Sequence, residues 1–395
     1  MDGALDGIRV IDFSTVVMGP YATQILGDLG ADVIKVESPS GDSLRVPPPY
    51  KHAGMSSLTL ALNRNKRSIA VDLKDERGKK IFRDLVVSAD VLVTNLRPQA
   101  LERLGLDYSA IKHDRLVYCQ AQGFSGELRD RAAYDEIVQG ASGTVDLMLR
   151  ATGSPDYVPT VLADKVSSLT IAYSVLAALM HRERTGRGQH VEVPMTDTML
   201  AFNLLEHLGG ETYVPSHGPL GFARSLQPNH RAVRTKDGYA CIATYGARNV
   251  ADFFTVAGRP ELAVDPRFDN PDALYENFEE FYELMAELAL EHTTDEWEEL
   301  CSRYSIPFGR VTSLEEAVSQ LDTTEHPTEG TIRVVPPPVR FSDTPASVRR
   351  HAPCLGEHNA EILTELGYTA QQIEELSSDL VTVEAVYGES RGAQG

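Results

Sequence analysis

Cysteine is scarce in this chain of 395 residues, with four in all: Cys119, Cys241, Cys301 and Cys354. They stand far apart, with no CxxC pair, which argues against a disulfide framework and a structural zinc site. No HExxH occurs among the eleven histidines, so a metalloprotease-type zinc site has no support, and no metal is expected. No GxSxG occurs, and no cysteine stands in a recognisable nucleophile setting. Positive charge is short: 37 Lys and Arg against 57 Asp and Glu give 37 − 57 = −20. So acidic a chain is poorly suited to gripping nucleic acid or an anionic membrane, although a local basic pocket could still take an anionic ligand. No run approaches the roughly 20 consecutive apolar residues of a membrane span. The opening MDGALDGIRVIDF lacks the basic-then-apolar layout of a signal peptide. A cytoplasmic enzyme is expected.

What is present is length and an ordinary apolar share. The chain has two to three domains' worth of residues at about 150 each, and 42% are hydrophobic, enough for a sizeable core. Short apolar runs at Ile8–Phe13, Asp32–Glu37, Ser68–Leu73, Val91–Asn95 and Leu116–Gln122 alternate with helical stretches. The helices are expected at about Tyr21–Leu29, Asp75–Ser88 and Gln99–Leu104. This alternation predicts an α/β domain with a parallel sheet and right-handed crossovers. Ligands in such sheets bind beyond the carboxyl ends of the strands. That points to the loops Ser14–Pro20, Ser38–Arg45, Asn95–Pro98 and Gly123–Asp130. The first strand–helix turn, STVVMGP, lacks GxGxxG, which lowers a dinucleotide-oxidoreductase reading. Gly19-Pro20 reads as a tight turn with Pro opening the helix.

Further on, helices are expected over Tyr134–Met148, Lys165–Arg184 and Thr196–Leu208, with a strand at His190–Val193. Gly209–His230 lacks periodicity and reads as a linker, and Lys236-Asp237-Gly238-Tyr239 carries a hairpin signal. Acidic helical segments run to about Tyr304. A second linker around Pro336-Pro337-Pro338 leads to a helix at Asn359–Leu366 and a tail, Glu389–Gly395, expected to be disordered.

Asp164 stands just before an apolar helical stretch. It could serve as an N-cap, accepting from free backbone N–H groups. It could also be a carboxylate kept ionised in the positive field of a helix start and acting as a nucleophile. Both roles are compatible. Lys66, Arg67, Lys74, Arg97 and Arg103 fall near the expected ligand edge. Each alone reads as surface charge, but together they suggest a phosphate-bearing ligand. Tyr134-Asp135 reads equally as a surface tyrosine with a helix-start acid or as a polar pair lining a pocket. His207, His217 and His230 lie near the linker and form no ligand pattern. Cys119 lies inside a buried strand and reads as core packing.

Several blocks then occur in one order: LDGIRVIDFS, GPYATQILGDLGADVIKVESPSGDSLR, NRNKRSIAVDL, ADVLVTNLRPQALERLGLDY, the ADK segment, ALMHRERTGRGQHVEVPM and APCLGEHNAEILTELGY. Over nearly its whole length the chain resembles the family III CoA-transferases, relatives of α-methylacyl-CoA racemase. The resemblance implies a large Rossmann-like domain built from both chain ends (1–215 and 331–395), a smaller α+β domain (225–330) and an interlocked homodimer. It implies that Asp164 is the catalytic carboxylate, carrying CoA between an acyl-CoA and a free carboxylic acid through anhydride and thioester intermediates. CoA is then substrate and carrier, with no other cofactor. The resemblance places CoA against Val17, Met18, Ser38, Val71, Lys74, Asn95, Leu96, Arg97, Arg103, Ala132 and Tyr134, with Asp135 beside them.

Departures bear on the substrate. Ser38 replaces an arginine of the formyl-CoA transferases, Val17 a glutamine and Ala132 a lysine, and the glycine-rich loop after Gly210 is missing, which argues against an oxalate or formate acyl group. The racemase relatives use a histidine where this chain has Tyr134, and near their glutamate it reads Tyr245-Gly246-Ala247. Tyrosine, with an ordinary pKa near 10, is a poor base at neutral pH. Transfer is therefore favoured over epimerisation, with a non-catalytic CoA-binding relative as the alternative of a different class.

Overall fold

The computed structural model describes residues 3–244 and 246–385. Tyr245 and the tail Glu389–Gly395 lie outside the described residues. The chain divides into two compact units, one of residues 1–142, 159–202 and 321–395, the other of 143–158 and 203–320.

The first unit is built on six parallel strands: β1 (Arg9–Phe13), β2 (Asp32–Glu37), β3 (Lys66–Ala70), β4 (Val91–Thr94), β5 (Val117–Gln122) and β6 (His190–Pro194). Their order is β3-β2-β1-β4-β5-β6, the doubly wound arrangement in which the progression of strands reverses between β1 and β4. Alternation along each strand feeds two separate cores, as a sheet covered on both faces requires. Val10, Val91, Val93, Val117, Cys119 and Ala121 pack with the helices Met18–Asp28 and Leu162–Thr185. Ile11, Leu92 and Tyr118 face the other way, onto Ile81, Phe82 and Leu85 of the helix Glu76–Val87, with Leu101, Ile362, Leu363 and Leu376. Burial pushes the Cys119 thiol up to about 12, as its packing role requires.

The carboxyl-terminal stretch returns to this unit at the β3 edge. Asn359 accepts from Ala70 N–H through Oδ1 (3.0 Å), Asp72 N–H donates to the Val381 carbonyl (2.8 Å), and Val71 forms a bridge with Thr382. The sheet edge is thus covered rather than left open to pair with another chain.

The helix Leu162–Thr185 is long and apolar enough to cross a membrane by length and composition alone. Its buried Ile171, Val175, Ala178 and Leu179 belong to the core of this unit, which accounts for that composition.

The second unit holds the antiparallel sheet β7 (Val233–Arg234), β8 (Tyr239–Ile242) and β9 (Phe308–Arg310). β7 and β8 are joined at Thr235–Gly238, where the hairpin signal falls. Its core is aromatic: Phe253 stacks on Trp297 at 5.6 Å, and Phe254 packs against Phe268 and Phe281. His207 accepts from Phe222 N–H (3.2 Å), His217 meets Tyr213 edge-on, and His230 packs on Tyr282. Each histidine has a local contact, so none needs a ligand to explain it.

Three sequence expectations change. The expected helix Tyr134–Met148 is two helices, Asp135–Ala141 and Thr144–Thr152, because Gly143 adopts φ +85° between them. The first helix begins at Met18, so Pro20 sits inside its opening turn, where a missing N–H costs nothing. Lys66 and Arg67 do not reach the ligand edge. They occupy the amino end of β3, with Lys66 fully buried against Asp12 (2.8 Å) and Arg67 paired to Asp32, Glu361 and Glu365.

Candidate active site

The reversal between β1 and β4 leaves a crevice beyond their carboxyl ends, and the two loops there are tied to each other. Asn95 Oδ1 accepts from Thr15 N–H (2.9 Å), and its Nδ2 donates to the Thr15 carbonyl (2.7 Å). Val16, the next residue, has φ +66°, a strained conformation for a β-branched side chain. Its N–H points at the Asp42 carboxylate (3.2 Å). Asp42 is held by Lys35 Nζ (3.1 Å), which also donates to the Ser14 carbonyl (3.0 Å). Buried charges beneath the crevice therefore fix the loop above it.

Asp12 belongs to the same foundation. Burial alone would raise its carboxyl, but Lys66 and Lys35 outweigh that and lower it to about 2. Gly19 completes the packing, since a Cβ there would lie 2.2 Å from Ser14 Oγ.

A cleft of about 210 Å³ opens at this point, lined by Thr15, Val16, Met18, Asn95, Leu96, Arg97, Gln122, Gly123, Arg129, Arg131, Ala132, Ala133, Tyr134, Asp164 and Met195. It has room for the reacting end of an extended ligand but not for a whole nucleotide-bearing one, given the 300–1,000 Å³ usual for enclosing a drug-sized molecule. Three arginines line it. Arg129 leans on Glu102 (3.4 Å), Arg131 lies over the Phe124 ring (5.3 Å), and Arg97 is exposed at the start of the helix Pro98–Leu104.

Asp164 is the acid of this cleft, and its setting differs from the N-cap expectation. The helix starts at Leu162 with Val161 at the N-cap, so Asp164 is its third residue. An N-cap side chain would ordinarily accept the N–H at that position. Val161 cannot. Asp135, 29 residues earlier, does so instead: its Oδ1 accepts from Asp164 N–H at 3.0 Å. Gln139 Nε2 donates to the other Asp135 oxygen (2.6 Å). Capping is thus supplied from another helix, and the Asp164 carboxyl is left to line the cleft.

The same arrangement corrects the expectation that Asp164 stays ionised in a positive field. Its residue is 9% exposed, and burial, with Asp135 and Glu136 adding like charge, pushes its carboxyl up to about 7.

Of the residues expected from sequence, the structure brings Met18, Asn95, Leu96, Arg97, Ala132, Tyr134 and Asp164 into this one cleft. Val17 is buried just before the first helix. Ser38, Val71 and Lys74 follow the carboxyl ends of β2 and β3, along the same sheet edge but outside the cleft lining. Arg103 is exposed in the last turn of the helix Pro98–Leu104. Tyr134 is 66% exposed, whereas Asp135 is 4% exposed and structural in its contacts. Sequence reasoning missed Gln122, Arg129, Arg131 and Met195, although the first three sit in or beside a loop the strand pattern marks as ligand-facing. Among the described residues, no group of three or more His, Cys, Asp or Glu side chains is placed to hold a metal ion.

Fold and cleft together define a doubly wound α/β enzyme with a carboxyl group at its switch point. Residues 5–359 match CoA-transferase family III, and the chain belongs to that family. It is 33% identical to a succinyl-CoA:glutarate CoA-transferase of Mus musculus, over 94% of this chain and 88% of the relative. It is also 33% identical to a formyl-CoA:oxalate CoA-transferase of Streptomyces avermitilis, covering 96% and 99%. A crystal structure of a CaiB/BaiF family protein from Brucella suis superposes with a TM-score of 0.78 at 31% identity, covering 93% of this chain and all of that one. The protein is accordingly an enzyme of CoA transfer in acyl-CoA metabolism, with CoA as its carrier.

Proposed function

We propose that this enzyme moves CoA from an acyl-CoA thioester to a free carboxylic acid with Asp164 as the covalent carrier. An Asp164 oxygen attacks the thioester carbonyl, the C–S bond breaks, and an acyl–aspartyl anhydride forms as CoA thiolate departs. The thiolate attacks the aspartyl carbonyl of the anhydride, releasing the donor acid and leaving CoA as a thioester on Asp164. The acceptor carboxylate then attacks that thioester and expels thiolate, which takes the acceptor acyl group from the second anhydride and restores the Asp164 carboxylate. No proton is consumed overall, and every intermediate is an activated acyl group. Neither ATP nor a metal is required by this balance. A carboxylate suffices because thiolate is a good leaving group.

The observation that carries this reading is Asp164 lining the cleft while Asp135 takes over the capping of its helix. Holding CoA by its remote phosphates keeps the thiolate in place between half-reactions. Lys74 and Arg103, outside the cleft lining and along the same surface, are the cations suited to that task, while Arg97, Arg129 and Arg131 stand at the cleft itself. Arg103→Ala is expected to raise the KM for acyl-CoA about tenfold with little change in kcat, because a remote charge-assisted hydrogen bond binds ground and transition states alike. Steady-state kinetics at fixed ionic strength checks this.

The defining experiment is mass spectrometry after mixing the enzyme with an acyl-CoA. A CoA adduct on the peptide bearing Asp164 supports the proposal, and turnover with no covalent adduct overturns it. A panel of mono- and dicarboxylates then identifies donor and acceptor, since the relatives named above take their names from dicarboxylic as well as one-carbon acids. The proposed setting is the cytoplasm, and the proposed assembly a homodimer. Exposed Leu169, Tyr173 and Met180 on the helix Leu162–Thr185, with Phe202 on the helix Met195–His207, are apolar surface that a second copy would cover. A monomeric mass by light scattering at micromolar concentration would refute the dimer.

A further inference from the structure

Five buried side-chain atoms among the described residues have no hydrogen-bond partner: Gln122 Oε1, Ser167 Oγ, Arg182 Nε, His190 Nε2 and Thr244 Oγ1. Gln122 alone of these residues lines the cleft. It is the last residue of β5 and 6% exposed. An acceptor buried without a donor bears its full desolvation penalty. The neighbouring Gly123 carbonyl accepts from both Thr196 N–H (3.1 Å) and Thr196 Oγ1 (2.7 Å), and a Cβ on Gly123 would lie 2.3 Å from Ala133 Cβ. The backbone after Gln122 is therefore held in place, and the residue lines the same cleft as Asp164 while its buried side-chain carbonyl oxygen has no protein donor. Such a group is built for a donor that arrives with the ligand.

The chemistry of the reaction limits that donor. The ionised carboxyl group common to every acceptor brings only acceptors, and the thioester group brings a carbonyl oxygen and a sulfur. The N–H donors of an acyl-CoA nearest the reacting carbon are the amides of its pantetheine arm, the first separated from the sulfur by two carbons. We propose that Gln122 is a binding residue for that arm, its side-chain carbonyl accepting a hydrogen bond from the amide N–H nearest the sulfur and so setting the thioester against Asp164. This inference rests on the CoA-transfer reading and deepens it.

The test compares CoA with an analogue whose amide nearest sulfur is replaced by an ester, using calorimetric affinity so that no turnover is needed. The wild-type enzyme is expected to bind CoA about tenfold more tightly than the ester analogue. Gln122→Met is expected to lose that preference, binding both at the weaker level. Unliganded Gln122→Met should also melt above the wild type, because the orphaned acceptor is gone. Equal wild-type affinity for the two compounds overturns the assignment, as does a Gln122→Met enzyme that keeps the tenfold preference. The wild-type comparison stands even if the variant does not fold. An enzyme that discriminates the two compounds but forms no adduct on Asp164 would instead refute Asp164 as the covalent carrier and leave Gln122 in its place.

Discussion

Asp164→Asn is expected to abolish CoA exchange, with a loss of roughly 10³-fold or more, while CoA still binds with near wild-type affinity. The argument is steric and chemical. Asparagine has nearly the shape of aspartate, and the backbone N–H at residue 164 can still donate to Asp135. The helix start and the cleft therefore persist. What disappears is the ability to form an anhydride or to carry CoA as a thioester. Were Asp164 only a helix-start acid, its replacement would cost a few tenths of a kcal/mol to about 1 kcal/mol of stability and leave turnover intact. The two outcomes lie orders of magnitude apart in a labelled-CoA exchange assay. Asp164→Ala measured in parallel guards against deamidation of the asparagine back to aspartate. Retained exchange in the alanine variant would remove the carboxyl from the mechanism.

Much of this site was legible because strand periodicity locates a parallel sheet, and a parallel sheet locates its ligand edge. β2 falls at Asp32–Glu37, as expected, and β4 and β5 differ from expectation by one residue each. β3 shows where the rule weakens. The strand is expected to begin at Ser68, with Lys66 and Arg67 as surface charge before it, yet β3 begins at Lys66 and all three residues are buried in it. Their burial is supported by partners distant in sequence: Asp12 for Lys66, Asp32 and Glu365 for Arg67, Glu37 for Ser68. Composition cannot show such pairings, so the basic cluster expected at the ligand edge loses two members to the core and gains Arg129 and Arg131. The N-cap failed for a related reason. Local sequence makes Asp164 the best capping residue in its stretch, but the capping carboxylate comes from Asp135 in another helix. The reciprocal Thr15–Asn95 bonding likewise spans 80 residues and has no local signature.

A pH-dependent stability gap between Asp164→Asn and the wild type is the second large effect expected. In the folded protein the Asp164 carboxyl titrates at about 7, against 3.8 for an ordinary aspartate, because burial, with Asp135 and Glu136 adding like charge, disfavours the ionised form. The native state therefore holds a proton that the unfolded chain has already released between those two values. Wild-type stability falls as pH rises from about 4 to about 7 and is flat in this respect above that. A displacement from 3.8 to about 7 is worth on the order of 4 kcal/mol. The asparagine variant has no such proton to lose. Its melting temperature should match the wild type near pH 4, pull ahead as pH approaches 7, and keep its lead at pH 8. Wild-type activity should run the opposite way, rising with the ionised fraction of Asp164 to a plateau above pH 7, so that the pH range of activity is the range of lowest stability. Asp135→Asn keeps an acceptor for the helix N–H but removes one like charge, and should move the midpoint of the rate profile downward. A gap that stays constant from pH 4 to pH 8 would instead mean that the Asp164 carboxyl titrates alike in the folded and unfolded chain and is hydrated in solution, and a hydrated carboxylate would lack the reactivity that the transfer chemistry demands of it.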